Sequence, residues 1–131
     1  MIFTDKGMDN YLYEEECKLL IGACYEVHNA LGHGFLESVY HEALELEFMI
    51  SGISFESEKR LDVWYKSYKL DHFFIADFIC FNKIIIEMKA CDGLCTEHTA
   101  QLLNYLKATK FKLGLLINFG TPRVQIKRVI L

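Results

Sequence analysis

Three apolar runs and what separates them constrain this chain more than anything else in it. "HFFIADFIC" and "KIIIEMKA" are rich in β-branched and aromatic residues and flank Phe81-Asn82-Lys83, so they read as two strands of a hairpin. "FKLGLLINF" is a near-continuous apolar run, the mark of a strand covered on both faces. Between the second and third runs, residues 97–109 read as a helix, with Thr96 as the expected cap and Glu97 supporting its N-terminus. A strand, a crossover helix and a further strand in one sheet imply a mixed α/β architecture.

The flanking segments fit that frame. "YEEECKLLIGACYEVHNALG" places Leu19, Leu20, Ala23, Val27, Ala30 and Leu31 at helical spacing, with acids in the first turn and Gly32 as the stop. "FLESVYHEALELEFMISG" gives a second helix with Val39, Ala43, Leu46 and Ile50 expected along its buried stripe. "ISFESEKRLDVWYKSYKL" alternates loosely, as an edge strand or hairpin does, and "RVQIKRVIL" suits a last strand after the turn at Gly120-Thr121-Pro122. The expected order is α-α-β-β-β-α-β-β. With 131 residues, one proline and no repeat or linker, one domain over residues 1–131 is expected.

Composition narrows the class. Hydrophobic residues make up 52%, which argues against disorder. The opening "MIFTDKGMDNYLYEEECKLL" carries acids where a secretory leader needs bases, and no apolar stretch approaches the roughly 20 residues of a membrane span, so a cytoplasmic protein is expected. Cys17, Cys24, Cys80, Cys91 and Cys95 form no paired spacing, and free thiols are the expected state. Cys91 and Cys95 in "CDGLC" lack the second pair that a structural metal site requires, and the missing C-x2-C motif argues against a redox protein. Net charge is −4, but residues 1–58 hold 2 basic and 12 acidic side chains while residues 59–131 hold 12 basic and 6 acidic. That asymmetry fits a polyanionic partner for the basic part, and equally an acidic solvated face beside an ordinary surface.

Chemistry concentrates on the hairpin. Asp77 interrupts an otherwise apolar strand, and a buried carboxylate needs a partner. Glu87 and Lys89, two residues apart, point to one face of the next strand. An Asp77–Lys89 ion pair is one reading. A metal site is the other: two carboxylates about 4 Å apart repel by roughly 4 kcal/mol at an effective dielectric of 20, and a hard divalent cation reverses that sign. A neighbouring lysine then orients water and stabilises charge developing on a phosphate. The metal reading requires hairpin pairs whose residue numbers sum to 164, closed by the three-residue loop Phe81-Asn82-Lys83; a two-residue turn would send Asp77 to the opposite face from Glu87 and Lys89. On the helix that follows, His98, Gln101 and Tyr105 share a stripe. In "GFLESVY", Gly34, Glu37 and Tyr40 stand at G-x2-E-x2-Y spacing.

In order and spacing these motifs resemble the PD-(D/E)XK phosphodiesterase superfamily, and within it the small GxxExxY protein family, over nearly the whole chain. The Q-x3-Y pair of Gln101 and Tyr105 is similar to the helix after the active-site lysine in recombination-type exonucleases of that superfamily. The resemblance implies a restriction-endonuclease-like α-β-β-β-α-β core, a mixed central sheet flanked by helices. It implies Asp77, Glu87 and the backbone carbonyl of Met88 as ligands of Mg²⁺ or Mn²⁺, and Lys89 as the catalytic lysine. Glu37, Gln101 and Tyr105 would assist catalysis. His98, from the shared helix stripe, and Tyr40 are the residues expected to meet substrate. Ala76 stands where the superfamily has proline, a position that ligates no metal.

The expected activity is therefore metal-dependent hydrolysis of nucleic acid, DNA in the first place. The alternative is a catalytically silent nucleic-acid-binding or protein-interaction module on the same fold. "KLGLLINFG" and the tyrosine-rich segment 64–68 are the stretches that suggest an interface with a second copy or a larger protein.

Overall fold

A computed structural model describes residues 11–131, so the first half of the opening stretch read above for a secretory leader lies outside the described residues. Helix α1 (Glu14–Leu31) opens with Glu14, Glu15 and Glu16 against its own dipole and ends at Gly32, whose φ of 71° suits a residue without Cβ. Helix α2 spans Glu37–Ile50. The strands are β1 (Phe55–Tyr65), β2 (Tyr68–Cys80), β3 (Ile84–Lys89), β4 (Leu113–Asn118) and β5 (Gln125–Ile130), with α3 (Thr96–Thr109) between β3 and β4. Segment 53–70 thus holds β1, the turn at Lys66-Ser67 and the start of β2, which begins at Tyr68, earlier than its apolar core does.

The five strands lie in the order β1-β2-β3-β4-β5, antiparallel except for the parallel β3–β4 pair that α3 connects. Helices α1 and α2 cover one face. There Cys17, Leu20, Cys24, Val27, Tyr40, Leu44 and Phe48 pack on Phe78, Ile84, Ile86, Met88, Leu115 and Ile117. Helix α3 covers the other face, where Leu102, Tyr105 and Leu106 meet Ile79, Ile85, Leu116 and Val129. A methyl group on Gly114 would stand 2.8 Å from Leu102 Cδ1, so glycine lets α3 approach β4 closely. Burying a side chain of leucine size stabilises by about 1.5–3 kcal/mol, and these two layers hold the sheet.

Two details differ from the sequence expectation. In α2 the buried stripe is Tyr40, Leu44 and Phe48, spaced by four, whereas Leu46 and Ile50 are exposed. Phe48 packs against Phe55 and Phe78, and Tyr40 stacks on Phe119, ring contacts that turn this stripe inward. The second difference is β4. Every residue of Leu113–Asn118 is buried in the centre of the sheet, so "KLGLLINFG" offers no interface. Segment 64–68 does remain open: Trp64, Tyr65 and Tyr68 are exposed. Among the described residues no helix is long and apolar enough to cross a membrane.

Candidate active site

The site forms where β2 leaves β3. Their ladder runs Cys80↔Ile84, Ile79↔Ile85, Phe78↔Ile86, each pair summing to 164, and stops there. The loop is Phe81-Asn82-Lys83, with Phe81 and Asn82 both left-handed and Lys83 N donating to Cys80 O at 3.1 Å. On its other edge β2 skips one pair as well. Ser57↔Phe78 and Lys59↔Ala76 are paired, while the residue between them, Glu58, is left-handed at φ 50°. Asp77 is therefore withdrawn from both ladders.

Side chains take over the bonds the ladders give up. Asp77 N donates to Glu87 Oε1 at 3.2 Å, and Met88 N donates to Asp77 Oδ2 at 2.8 Å. His41 Nε2 lies 3.4 Å from the Asp77 carbonyl, which can only accept, while its ring stacks on Phe78 at 4.4 Å. Two carboxylates thus turn toward each other across a gap in the sheet. Neither forms an ion pair with Lys89, which removes the Asp77–Lys89 bridge as an account of this acid.

Electrostatics follow from burial. Glu87, 6% exposed, has its pKa pushed up to about 8 by desolvation first and by the Asp77 charge second. Asp77 is also raised, chiefly by burial, although the Met88 amide, His41 and Lys89 pull the other way. Glu37 on the first turn of α2 is raised by burial and by Asp77, and is lowered by Lys89 and His41. From α3, Tyr105 feels both Glu87 and Asp77, with burial the larger cause of its raised pKa, and its ring packs on Phe74 at 4.7 Å. Without a cation, the Glu87–Asp77 pair keeps a proton at neutral pH.

Asp77 and Glu37 open into a cavity of about 470 Å³ lined also by Ser38, His41, Glu42, Glu45 and Glu58, whereas Glu87, Lys89 and Tyr105 do not line it. Among the described residues no three His, Cys, Asp or Glu side chains form a ready-made metal cage. The donor set is oxygen, two facing carboxylates that each accept a backbone amide, with the Glu87 anion destabilised by burial and by the Asp77 charge. That fits a hard cation such as Mg²⁺, which is commonly held by one or two carboxylates plus water and phosphate oxygens.

The other expected residues separate into two groups. Asp77, Glu87, Lys89, Glu37 and Tyr105 are close enough for their charges or rings to act on one another. Gln101 lies one turn before Tyr105 on α3, exposed and without a hydrogen bond to the described residues. His98 serves the helix: its Nδ1 accepts from Cys95 N at 3.2 Å in a capping box, and Cys95 rather than Thr96 is the N-cap. Tyr40 is fully buried, so the substrate contact expected of it is corrected. Its hydroxyl donates to Gly32 O at 2.5 Å and accepts from Phe35 N at 3.3 Å, and its ring stacks on Phe119 at 4.8 Å. Tyr40 ties the α1–α2 connection to the core and so fixes where Glu37 begins its helix.

His41 and Glu58 were missed in the sequence. His41 had a signal, since it follows Glu37 by four residues and shares its helix face. Glu58 had none, because its place depends on the skipped pair in β1. Behind the site, Asn118 at the end of β4 holds the chain that leaves Lys89. Its Oδ1 accepts from Cys91 N and Gly120 N, each at 3.0 Å, and its Nδ2 donates to Cys91 O at 3.0 Å and Gln125 Oε1 at 2.9 Å. Gly120 permits this approach, since a Cβ there would lie 2.3 Å from Cys91 backbone atoms. Cys24, Cys80, Cys91 and Cys95 are free thiols, and Cys17, Cys24 and Cys80 are buried.

Comparison with known proteins agrees with this architecture. The family model described as the PD-(D/E)XK nuclease superfamily matches residues 14–129, and the chain belongs to that superfamily. A solved structure described as the crystal structure of SSO0001 is similar in fold, with a TM-score of 0.57 and 24% identity. The match covers 94% of this chain and 60% of that one, so this chain spans about three fifths of its length. No curated protein matches.

Proposed function

We propose that this chain is a metal-dependent phosphodiesterase that hydrolyses nucleic acid, DNA in the first place, and that it belongs to the GxxExxY branch of its superfamily. The observation that carries the reading is the pair Asp77 and Glu87, two carboxylates turned together at a gap in the sheet with Lys89 beside them. In this reading residues 1–131 act as one cytoplasmic domain.

Asp77, Glu87 and the Met88 carbonyl would hold Mg²⁺ or Mn²⁺. When bound, that ion supplies Lewis-acid stabilisation of phosphate oxygens and a lowered pKa for water. The protein's own part is positional. Lys89, an ammonium without an ion pair among the described residues, is available to orient the attacking water and to meet charge developing on the phosphate. Glu37 is a base or water-holding group at the mouth of the cavity, its proton affinity raised by burial and then by Asp77. Tyr105 closes the α3 side, and Gln101, exposed one turn away, is placed for substrate.

A second reading, a silent module on the same fold, draws on the cavity rim. Glu37, Glu42, Glu45 and Glu58 oppose a phosphate backbone unless cations neutralise them. One experiment separates the two. Labelled linear and circular DNA are incubated with Mg²⁺, Mn²⁺ or EDTA, using the wild type, Asp77→Asn and Glu87→Gln. Metal-dependent cleavage lost in both variants supports the enzyme. Binding without cleavage in any metal sinks it.

A further inference from the structure

A second, larger cavity of about 710 Å³ lies between the edge strand β1 and the last turn of α3, away from the carboxylates. Its walls carry Lys59, Arg60, Lys66, Lys107 and Lys110 against a single acid, Asp62, and they include the chain's one tryptophan, Trp64. The β1–β2 pairing shifts register between Asp62 and Trp64, and a shift of this kind re-aims the side chains around it. Trp64 is 57% exposed beside these cations.

The cations are not all committed. Lys59 bonds Glu56 at 3.1 Å and Arg60 bonds Asp62 at 2.9 Å, both near the surface. Arg60 also lies 4.0 Å over the Phe73 ring, which fixes its guanidinium in place. Lys66, Lys107 and Lys110 make no ion pair among the described residues. A helix C-terminus attracts cations to its own dipole, which accounts for Lys107. It does not account for Lys59, Arg60 and Lys66 facing it from another element.

We infer that this groove is a binding site for single-stranded nucleic acid, phosphates running along the lysines and one base stacking on Trp64. The identity of the ligand rests on the nucleic-acid reading above; the position of the groove does not. A backbone-tracking basic channel with an aromatic platform is the chemistry by which single strands are held without sequence readout. A duplex keeps its bases inside and presents no base face to Trp64. Lys59 follows directly on Glu58, which lines the carboxylate cavity, so the groove and that cavity meet at neighbouring residues of β1.

Because Trp64 is the only tryptophan, its fluorescence reports occupancy of this groove directly. The protein is titrated in EDTA with an oligothymidylate of roughly 12 nucleotides, a duplex of equal length, and inorganic polyphosphate. Saturable quenching by the single strand is expected, with an affinity that falls steeply as salt rises. Lys66→Glu with Lys107→Glu, both exposed, should weaken that affinity about tenfold or more. Trp64→Ala, followed by anisotropy of the labelled strand, should weaken single-strand binding and leave duplex binding unchanged. Equal quenching by duplex or by polyphosphate, or no quenching by the single strand, overturns the inference. Glu87→Gln in the same titration keeps the two proposals distinct. A wild type that cleaves with Mg²⁺ while Trp64 stays silent rejects the groove alone. Quenching retained in a protein that never cleaves rejects the hydrolase alone.

Discussion

Strand β3 has two unlike edges. Toward β4 all six residues from Ile84 to Lys89 are paired in one parallel ladder, and the residues facing them are buried. Toward β2 the ladder lasts three pairs and then opens, with Asp77 and Glu87 in the gap. The same strand thus gains its stability on one side and presents its chemistry on the other. A carboxylate such as Glu87 is tolerable in a core only because the strand bearing it is anchored elsewhere.

The sharpest way to break this comparison is on the open edge. Glu87→Gln should cut metal-dependent cleavage by roughly a thousandfold, about 4 kcal/mol of barrier, while the protein stays folded. Single-turnover cleavage together with thermal melting measures both. A variant that melts early and still cleaves normally in its folded fraction would show that Glu87 belongs with the structural edge.

Leu116→Ala tests the closed edge. Leu116 is fully buried between β3 and α3, and its truncation should cost about 3 kcal/mol of stability. Cleavage per folded molecule should be unchanged, as urea unfolding alongside an activity assay would reveal.

Titration sharpens the contrast further. The carboxyl of Glu87 has a folded pKa of about 8 against an ordinary 4.5, so its contribution to stability is complete below the unfolded range and is lost as pH rises toward 8. From about pH 5 to about pH 8 the metal-free protein should lose roughly 3 kcal/mol, and Glu87→Gln should flatten that slope. Saturating Mg²⁺ should restore the loss, because the cation replaces the proton. A wild-type profile as flat as that of the variant counts against a proton held between the two acids.

The smallest effect is expected away from both edges. Tyr40→Phe removes the hydroxyl that joins Gly32 O to Phe35 N and should cost about 1 kcal/mol, with little change in substrate affinity. A large rise in KM without loss of stability would restore Tyr40 to the substrate site.

Much of the open edge was legible in the sequence because hairpin geometry is arithmetic. Once the loop is three residues long, Asp77 must fall opposite Glu87, and two-residue alternation brings Lys89 to the same side. Other parts depended on packing that no local pattern encodes. The buried stripe of α2 follows Tyr40, Leu44 and Phe48 because three rings meet at Phe78, a partner thirty residues away from Phe48. His98 looked like a substrate group from its helical stripe, yet the first turn of a helix leaves amides unsatisfied, and its ring answers one of them. Glu58 entered the cavity through a backbone irregularity that alternation alone does not foresee.

The tether made by Asn118 has a consequence for how the site moves. Phe119 N donates to Lys89 O at 2.9 Å while Asn118 grips Cys91 from both its amide and its carbonyl, so the backbone on either side of Lys89 is nailed to the end of β4. Breathing of the cleft is therefore one-sided. The strand that carries Glu87 and Lys89 is fixed along β4, and the break in pairing lies on the β2 side. In hydrogen–deuterium exchange the amides of β4 would report the slow opening of the whole sheet, while the Asp77 amide, bonded only to a carboxylate, would mark the fast local hinge.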